Sequence, residues 1–439
     1  MKIINLLTQD ISRALEEGKW TGIHTLYFVS FAIGLFLEGF LFTVTSYATG
    51  WYSIPKSLSV LLLGWSFIWL IAGISVIGPV SDRLGRKQTW IYTMSLYVVG
   101  GLLLALSFNY ALVLVSLAIL TFAAGGEMNV ILAMSHEMFP RKHRSKSVML
   151  LTDFNGGVAP LIAGILGFVA ASYTITFQRY LVVATIFIGL IALIIIRYKT
   201  PESVRWLEKK GRKDEAKKEV ERYFRDESID TARNDDKIDY ALNRKLKTWQ
   251  ILAILIPIAW ANTAGYGLIT YTLGPIYFPR YIDYIFFFTG VGAFAGGLMG
   301  AFGDRWSRKT LIAVTYWIVF AITAIVVLTL NVWTKSLLVF WVLLIALNFV
   351  EQLSYATVEA MKGEMWPTNL RGSLTAVARV LPIALYLPVL YFATLLPVEQ
   401  YLVFNIIVWV IGALAATLWF LFGHETGKGV SIEYASREI

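Results

Sequence analysis

A single glutamate, Glu127, lies in the middle of the otherwise uncharged run FAAGGEMNVILAM at residues 122–134. Other acids also stand within apolar stretches, at Glu38, Asp153, Glu351 and Glu359. An ionised side chain costs about 3 kcal/mol or more inside a bilayer, so it usually faces the protein interior and marks a pathway. A buried carboxylate can change its proton affinity with its surroundings. The chemistry that these acids suggest is proton transfer at membrane depth.

Polar side chains recur at helical spacing in two further apolar stretches. Asn262 and Tyr266 are four residues apart, and Asn348, Gln352 and Tyr355 follow one another at spacings of four and three. Such spacing places each set on one face of a helix. A polar face can line a substrate pathway, although polar residues in membrane helices also simply bind neighbouring helices.

One basic residue, Arg379, also lies well inside an apolar stretch. A guanidinium group cannot lose its proton in a protein, so an anion must meet it. That anion is either an internal acid, such as Glu351 or Glu359, or the carboxylate of a substrate.

The composition identifies the setting of these residues as a membrane. Of 439 residues, 57% are hydrophobic and only 15% are charged, against about 25% charged in soluble domains. Runs of about 20 apolar residues, enough to cross a bilayer, recur along the chain without the alternation of a β-barrel. We predict an all-α membrane protein with twelve transmembrane helices, near 22–49, 57–80, 89–107, 110–138, 146–171, 178–198, 247–275, 281–302, 310–331, 334–363, 372–395 and 399–422.

Basic residues are distributed unevenly between the two sides of these helices. The loops on one side hold twelve, namely Arg83, Arg86, Lys87, Arg141, Lys142, Arg144, Lys146, Arg305, Arg308, Lys309, Lys362 and Arg371. The other side holds four, namely Lys56, Arg179, Arg280 and Lys335. This predicts a multi-pass protein of the cytoplasmic membrane with both termini in the cytoplasm. The first twenty residues lack a signal-peptide pattern, and we expect a short amphipathic helix there.

Several classes of chemistry have no support in the sequence. Cysteine is absent, and the four histidines lack metal-ligand spacing. The net charge of +9 belongs to the loop asymmetry, so we predict no nucleic-acid partner. Without a nucleophile triad, nucleotide loop or metal cluster, we predict no enzyme activity, no cofactor and no metal. The expected partners are a small-molecule substrate, protons and the lipid bilayer, and the expected state is a monomer.

Two motifs occur twice. GPVSDRLGRK at 78–87 matches GAFGDRWSRK at 300–309, and EMFPRKHR at 137–144 matches EMWPTNLR at 364–371. Each copy follows the same helix of a six-helix set, which predicts two pseudo-symmetric halves in the same orientation. We place a first six-helix bundle at 1–198, a polar cytoplasmic linker with short helices at 199–246, and a second six-helix bundle at 247–439.

With these motifs the chain resembles the major facilitator superfamily over its full length. GPVSDRLGRK matches that family's loop signature, and PESVRWLEKKGRKDEA at 201–216 resembles the PESPRWL segment of sugar porters, with Val204 in place of proline. GGE at 125–127 is similar to proton-linked metabolite porters, and ANTAGYGLITY at 261–271 lacks the QQxxG pattern of sugar porters. The resemblance implies a transporter and leaves sugar and organic acid open as substrates.

The resemblance also implies a gate. Charged residues of the repeated motifs would hold the cytoplasmic side closed when the protein opens outward. Alternatively, the basic ones only set orientation, a rule to which acids contribute little. The gating candidates are Asp82, Arg83, Arg86, Glu137, Arg144, Asp304, Arg305, Arg308, Glu364 and Arg371.

Together these features predict a secondary active transporter, a proton-coupled symporter of a small polar organic solute that works by alternating access. The candidates for proton coupling are Glu127, Glu38 and Asp153. The candidates for substrate binding are Asn262, Tyr266, Asn348, Gln352, Tyr355 and Arg379. A proton-driven exporter and a non-transporting sensor of the same fold remain as alternatives.

Overall fold

A computed structural model describes residues 11–170, 173–224 and 246–436 of the chain. In these ranges all regular elements are helices, and twelve are long and apolar enough to cross a membrane, as predicted. We number them spans 1 to 12: Gly22–Thr45, Trp65–Leu84, Arg86–Ala105, Tyr110–Met138, Arg141–Val169, Ile175–Tyr198, Thr248–Tyr277, Tyr284–Phe302, Arg308–Leu328, Leu337–Glu364, Arg371–Ala393 and Val398–Phe422.

The predicted boundaries of spans 2 and 5 were wrong. Span 2 begins at Trp65 rather than near residue 57, because residues Ser59–Leu63 form a separate short helix. It continues to Leu84, and Gly85 alone, with a φ of 105°, turns the chain into span 3. Only glycine adopts that φ readily. Most of the first repeated motif is therefore helical, and the charges at Arg141 likewise begin span 5 rather than precede it.

Glycines allow close packing within each half. A Cβ atom on Gly73 of span 2 would lie 1.9 Å from the carbonyl oxygen of Phe122 in span 4. In the second half, a Cβ atom on Gly296 of span 8 would lie 2.0 Å from the carbonyl oxygen of Phe349 in span 10. Small residues let membrane helices approach in this way. The same pair of helices is closely packed in both halves, in agreement with the predicted pseudo-symmetry.

Two helix pairs make the largest contacts between the two halves. Span 5 packs on span 8, where Asp153 lies against Gly297, and span 2 packs on span 11, where Gly78 lies against Ala376. Because these pairs join different halves, they are the contacts that any rocking of one half against the other must rearrange.

Two spans are irregular at membrane depth. Span 7 is α-helical to Gly265, breaks at Tyr266 and at Gly267, which has a φ of 82°, and resumes as a π-helical turn. Span 5 contains a π-helical segment at Phe154–Val158. Irregular backbone is tolerated inside a bilayer only where protein or a water-filled cavity surrounds it. Both irregularities therefore indicate a site between the halves.

We call the face that carries the repeated motifs the motif side. Four short helices lie there: Ile11–Glu16, Val204–Lys209, Lys213–Tyr223 and Ile432–Ser436. The helix Ile11–Glu16 falls in the segment predicted to be an amphipathic helix, whose residues 1–10 lie outside the described ranges. Residues 225–245 of the predicted linker lie outside them as well, and the division of the chain at 198 and 247 stays a prediction.

Candidate functional site

A cavity of about 200 Å³ lies between the two halves. Five of the six predicted substrate-binding residues line it, namely Asn262, Tyr266, Gln352, Tyr355 and Arg379. The lining also includes charged side chains (Glu38, Glu351, Glu359, Lys362), polar ones (Thr43, Asn155, Thr263) and aromatic rings (Phe42, Phe67, Tyr271). The cavity can therefore bind a polar solute through hydrogen bonds and stack it against rings.

A charge cluster joins the halves at one wall of this cavity. Arg379 of span 11 contacts Glu38 of span 1 at 2.8 Å and Glu359 of span 10 at 3.6 Å. Its guanidinium also donates to the carbonyl oxygen of Gly125 in span 4 at 3.2 Å. Lys362 completes the cluster by contacting Glu359 at 2.6 Å. Two acids and two bases cancel one another, and the anion that meets Arg379 is internal.

A hydrogen-bonded chain extends the cluster towards span 10. Asn155 donates to the carboxylate of Glu38 at 3.3 Å, and the hydroxyl of Tyr355 donates to the amide oxygen of Asn155 at 2.8 Å. Sequence reasoning missed Asn155, although the polar and glycine-rich FNGG in an apolar span marks this position. Asn155 lies in the π-helical segment of span 5, which turns its side chain towards the cavity lining.

Glu127 is fully buried inside the first half and lies outside the cavity lining. It forms an ion pair with Arg197 of span 6 and accepts a hydrogen bond from Thr93 at 2.5 Å. Arg197 in turn donates to Ser30 at 3.1 Å and stacks on the ring of Trp90 at 4.5 Å. The expectation that Glu127 faces the substrate pathway is therefore corrected, because a cation within its own half holds it.

Two other predicted site residues also lie outside the lining. Asp153 is buried between spans 5 and 8 against Gly297, and its Oδ1 has no hydrogen-bond partner among the described residues. Asn348 lies inside the second half, where its amide donates to the carbonyl oxygen of Leu344 at 2.8 Å and to Thr270 at 3.5 Å. Asn348 therefore lies outside the cavity lining with its NH₂ group engaged by its own helix and span 7, while its Oδ1 has no hydrogen-bond partner among the described residues, and its role in substrate binding stays a prediction.

The repeated aspartates join the halves on the motif side. Asp82, at the end of span 2, accepts hydrogen bonds from the backbone amides of Gly372 and Ser373 at 3.0 and 2.7 Å. The hydroxyl of Ser373 adds a third at 2.7 Å. At the equivalent place in the other half, Asp304 accepts from the backbone amide of Lys146 at 3.0 Å. Each aspartate thus binds the backbone within the first two turns of the fifth helix of the opposite half.

Arginine–glutamate pairs surround these contacts. Arg86 contacts Glu137 at 2.7 Å, and the equivalent Arg308 contacts Glu364 at 3.3 Å. Arg371 of the second half reaches Glu137 of the first at 3.3 Å. The gating candidates of the two halves are therefore in contact on the motif side.

Three gating candidates take no part in these contacts between the two halves. Arg144 contacts Glu16 of the N-terminal helix at 2.6 Å, and Glu16 also accepts from the backbone amide of Ile432 in the C-terminal segment at 2.8 Å. Arg83 and Arg305 are exposed and form no ion pair with any residue that the structure describes. For these two, the structure agrees with the alternative that they only set orientation.

A third repeated feature escaped the sequence analysis. Glu202, after span 6, accepts from the backbone amide of Arg86 at 3.1 Å, and Glu425, after span 12, accepts from that of Arg308 at 2.8 Å. Both glutamates thus cap the third helix of their half. The residues that follow them, Ser203 and Thr426, donate at 2.5 Å to the glutamates of the repeated motifs. The shared Glu–hydroxyl dipeptide was the available signal.

Comparisons with known proteins agree with this architecture. A model of the Major Facilitator Superfamily matches residues 26–381. The glucose transporter GlcP of Staphylococcus epidermidis is 25% identical over 406 residues, covering 84% of this chain and 87% of that protein. Solute carrier family 22 member 7 of Rattus norvegicus is 32% identical over 153 residues, covering 35% of this chain and only 27% of that protein. A structure of the proton:xylose symporter XylE, bound to 6-bromo-6-deoxy-D-glucose, matches with a TM-score of 0.73 at 15% identity, covering 94% of this chain and 98% of that one.

Proposed function

The chain belongs to the Major Facilitator Superfamily, whose members are transporters rather than enzymes, and from this premise we propose that it is a proton-coupled symporter of a small polar organic solute. The fold, with two pseudo-symmetric halves around a central cavity, suits alternating access, in which each half rocks against the other. The predicted orientation, with the motif side in the cytoplasm, belongs to the same proposal and rests on the excess of basic residues there.

The charge cluster in the cavity wall carries this proposal. Glu38 of the first half pairs with Arg379 of the second, in contact with the space that a solute would occupy. A proton on Glu38 removes its negative charge and weakens the pair, while Glu359 remains beside Arg379. Protonation therefore changes a contact that joins the halves, which is what coupling between a proton and alternating access requires.

The position of Glu38 makes it the first proton-coupling candidate to test. Glu127 has a dedicated cation within one half, so its protonation would not directly alter a contact between halves. Asp153 lies between the halves but outside the cavity lining, so a proton there would act without touching the solute. Substitution of each of the three acids should therefore have a distinguishable effect on proton coupling.

The test is uptake into proteoliposomes under an imposed pH gradient, with D-glucose, D-glucosamine and D-glucuronate as labelled solutes. Glu38→Gln should abolish gradient-driven accumulation while exchange of the solute across the membrane continues. Glu399→Gln, at an exposed glutamate that begins span 12, is the matched control and should transport normally. Accumulation that survives in Glu38→Gln but is lost in Asp153→Asn or Glu127→Gln would move the proton site. Accumulation that ignores the gradient, or export driven by it, would refute proton symport.

A further inference from the structure

The charges that line the cavity do not all cancel. Glu38 and Glu359 are balanced by Arg379 and Lys362, with separations of 2.6 to 2.8 Å for the two shortest pairs. Glu351 lines the same cavity and is only 1% exposed. Its carboxylate contacts no cation and no side-chain donor among the residues that the structure describes, and only the backbone amide of Gly267 approaches it. A buried carboxylate that no cation neutralises is costly, so this position favours a positively charged occupant.

The surroundings of Glu351 fit such an occupant. It lies beside the break in span 7 at Gly267, a place where irregular backbone commonly forms a solute site. The rings of Tyr266 and Tyr271, 6.0 Å apart, flank the break and line the cavity. Tyrosine faces attract ammonium groups, most strongly where water is excluded. The wall around Glu351 thus combines a carboxylate with aromatic faces.

An anionic solute has no equivalent site among the described residues that line the cavity. Arg379 and Lys362 are the basic side chains among the cavity-lining residues, and each is already paired with an acid. A solute carboxylate would have to displace Glu38 or Glu359 and leave that acid buried. The side-chain amides of Asn262 and Gln352, in contrast, line the cavity and can bind the hydroxyls of a solute.

We propose that the transported solute carries an ammonium group that pairs with Glu351, on a small polyhydroxyl body. The chemical class is therefore an amine-bearing polar solute, such as an amino sugar or an amino alcohol, rather than an organic acid. This inference rests on the proposed transport function and specifies the substrate of its cavity.

Binding to the purified full-length protein tests the proposal with three solutes that share one carbon skeleton. D-glucosamine is cationic at mildly acidic pH, D-glucose is neutral and D-glucuronate is anionic. Calorimetry should show glucosamine binding more tightly than glucose, with glucuronate the weakest. Glu351→Gln should weaken glucosamine binding by about thirtyfold or more, because it removes one member of a buried charge pair. Its effect on glucose should be a few-fold at most.

Two further variants keep the result interpretable. Glu399→Gln removes an exposed carboxylate and should leave all three affinities unchanged. Glu351→Asp retains the charge on a shorter side chain, so it should keep the preference for glucosamine over glucose at reduced affinity. Melting temperatures without solute establish that each variant is folded.

The outcomes separate this proposal from the broader one. Tight binding of glucose or glucuronate without glucosamine, binding of none of the three, or glucosamine binding that Glu351→Gln leaves unchanged would overturn the amine assignment. Counterflow of glucose or glucuronate in proteoliposomes would then still support transport. Glucosamine binding that depends on Glu351, but with no counterflow, would uphold the site and overturn transport.

Discussion

Replacing Asp82 with asparagine should loosen the closed motif side. The carboxylate of Asp82 is buried and accepts three hydrogen bonds from the first turn of span 11, two of them from the backbone and hydroxyl of Ser373. Asparagine has nearly the same shape but presents an NH₂ group, which cannot accept, to one side of this turn. The substitution therefore weakens a contact between the halves that, in the proposed gate, opening of the motif side would break.

The size of the effect follows from these contacts. A hydrogen bond to a charged group contributes about 1.5–3 kcal/mol. Loss of the charge and of one or two acceptor positions should cost the closed state about 2–3 kcal/mol, or about 30- to 150-fold in the ratio of closed to open molecules. Asp304 offers a matched control, since it accepts one backbone hydrogen bond and its partner ammonium on Lys146 lies 3.9 Å away. Asp304→Asn should cost about 0.5–1 kcal/mol, or about fivefold at most.

Spin-label distances across the motif side can measure this shift. The chain contains no cysteine, so single cysteines can be introduced without removing others. Gln88 and Thr310 are exposed and occupy equivalent positions at the start of spans 3 and 9. A pair of labels there should report a larger share of long distances in Asp82→Asn than in the unsubstituted protein, with Asp304→Asn in between.

Two results would refute this reasoning. If Asp82→Asn left the distance distribution unchanged while the protein stayed folded, Asp82 would be a packing residue rather than part of a gate. If Asp304→Asn shifted the distribution more than Asp82→Asn, the number of hydrogen bonds to the aspartate would not determine the strength of closure. Solute affinity serves as the independent readout, because neither aspartate lines the cavity.

Three further predictions concern stability. Arg197→Leu should destabilise the folded protein by about 3–5 kcal/mol, because it leaves Glu127 buried and unpaired. The double variant with Arg197→Leu and Glu127→Leu should recover most of the lost stability in thermal unfolding. Equal stability of the single and double variants would contradict this prediction. Gly73→Ala should lower the melting temperature, since the Cβ would lie 1.9 Å from a carbonyl oxygen, whereas Gly167→Ala, with nothing within 4 Å, should not. Although burial alone would raise the pKa of Glu16, its two neighbouring arginines lower it from 4.5 to about 2. Its contribution is therefore complete above about pH 5 and is lost only as the pH falls towards 2. The hydrogen-exchange protection factors of residues 427–436 should therefore stay constant between about pH 5 and 8, but should fall when Glu16 is changed to Gln.

The repeated motifs explain why the residues that join the halves on the motif side could largely be predicted from sequence. Asp82 and Asp304 occupy the same position in the two copies of a repeated motif, and the structure places them at equivalent positions in the two halves. Their partners were not predictable, because a repeat does not say whether a contact stays within a half or crosses to the other. Glu137 pairs with Arg371 of the opposite half rather than with Arg144 of its own. That choice depends on how the halves dock.

The cavity shows where helical periodicity stops being informative. Asn348 and Gln352 are four residues apart on one stripe of span 10, yet only Gln352 lines the cavity. One turn of an α-helix rises about 5.4 Å. Over that distance the neighbour of span 10 changes from span 7, which meets Asn348 through Thr270, to span 5, which meets Gln352 at the carbonyl of Thr152. A stripe identifies a polar face, but the neighbouring helix determines whether that face meets a solute.

The buried acids illustrate the same limit in electrostatic terms. Both Glu127 and Glu38 were selected because they lie deep within a membrane helix, and depth alone predicts the same role for both. What separates them is the cation that each meets, Arg197 from the same half or Arg379 from the other. Arg197 lies one residue from the end of span 6, so its distance from a loop gave no hint that its long side chain reaches membrane depth. Glu351, which meets no cation in the described structure, is the acid for which an external charge matters most. Because the free energy of a buried carboxylate depends on its partner more than on its depth, the function of each acid follows from helix packing across the whole chain.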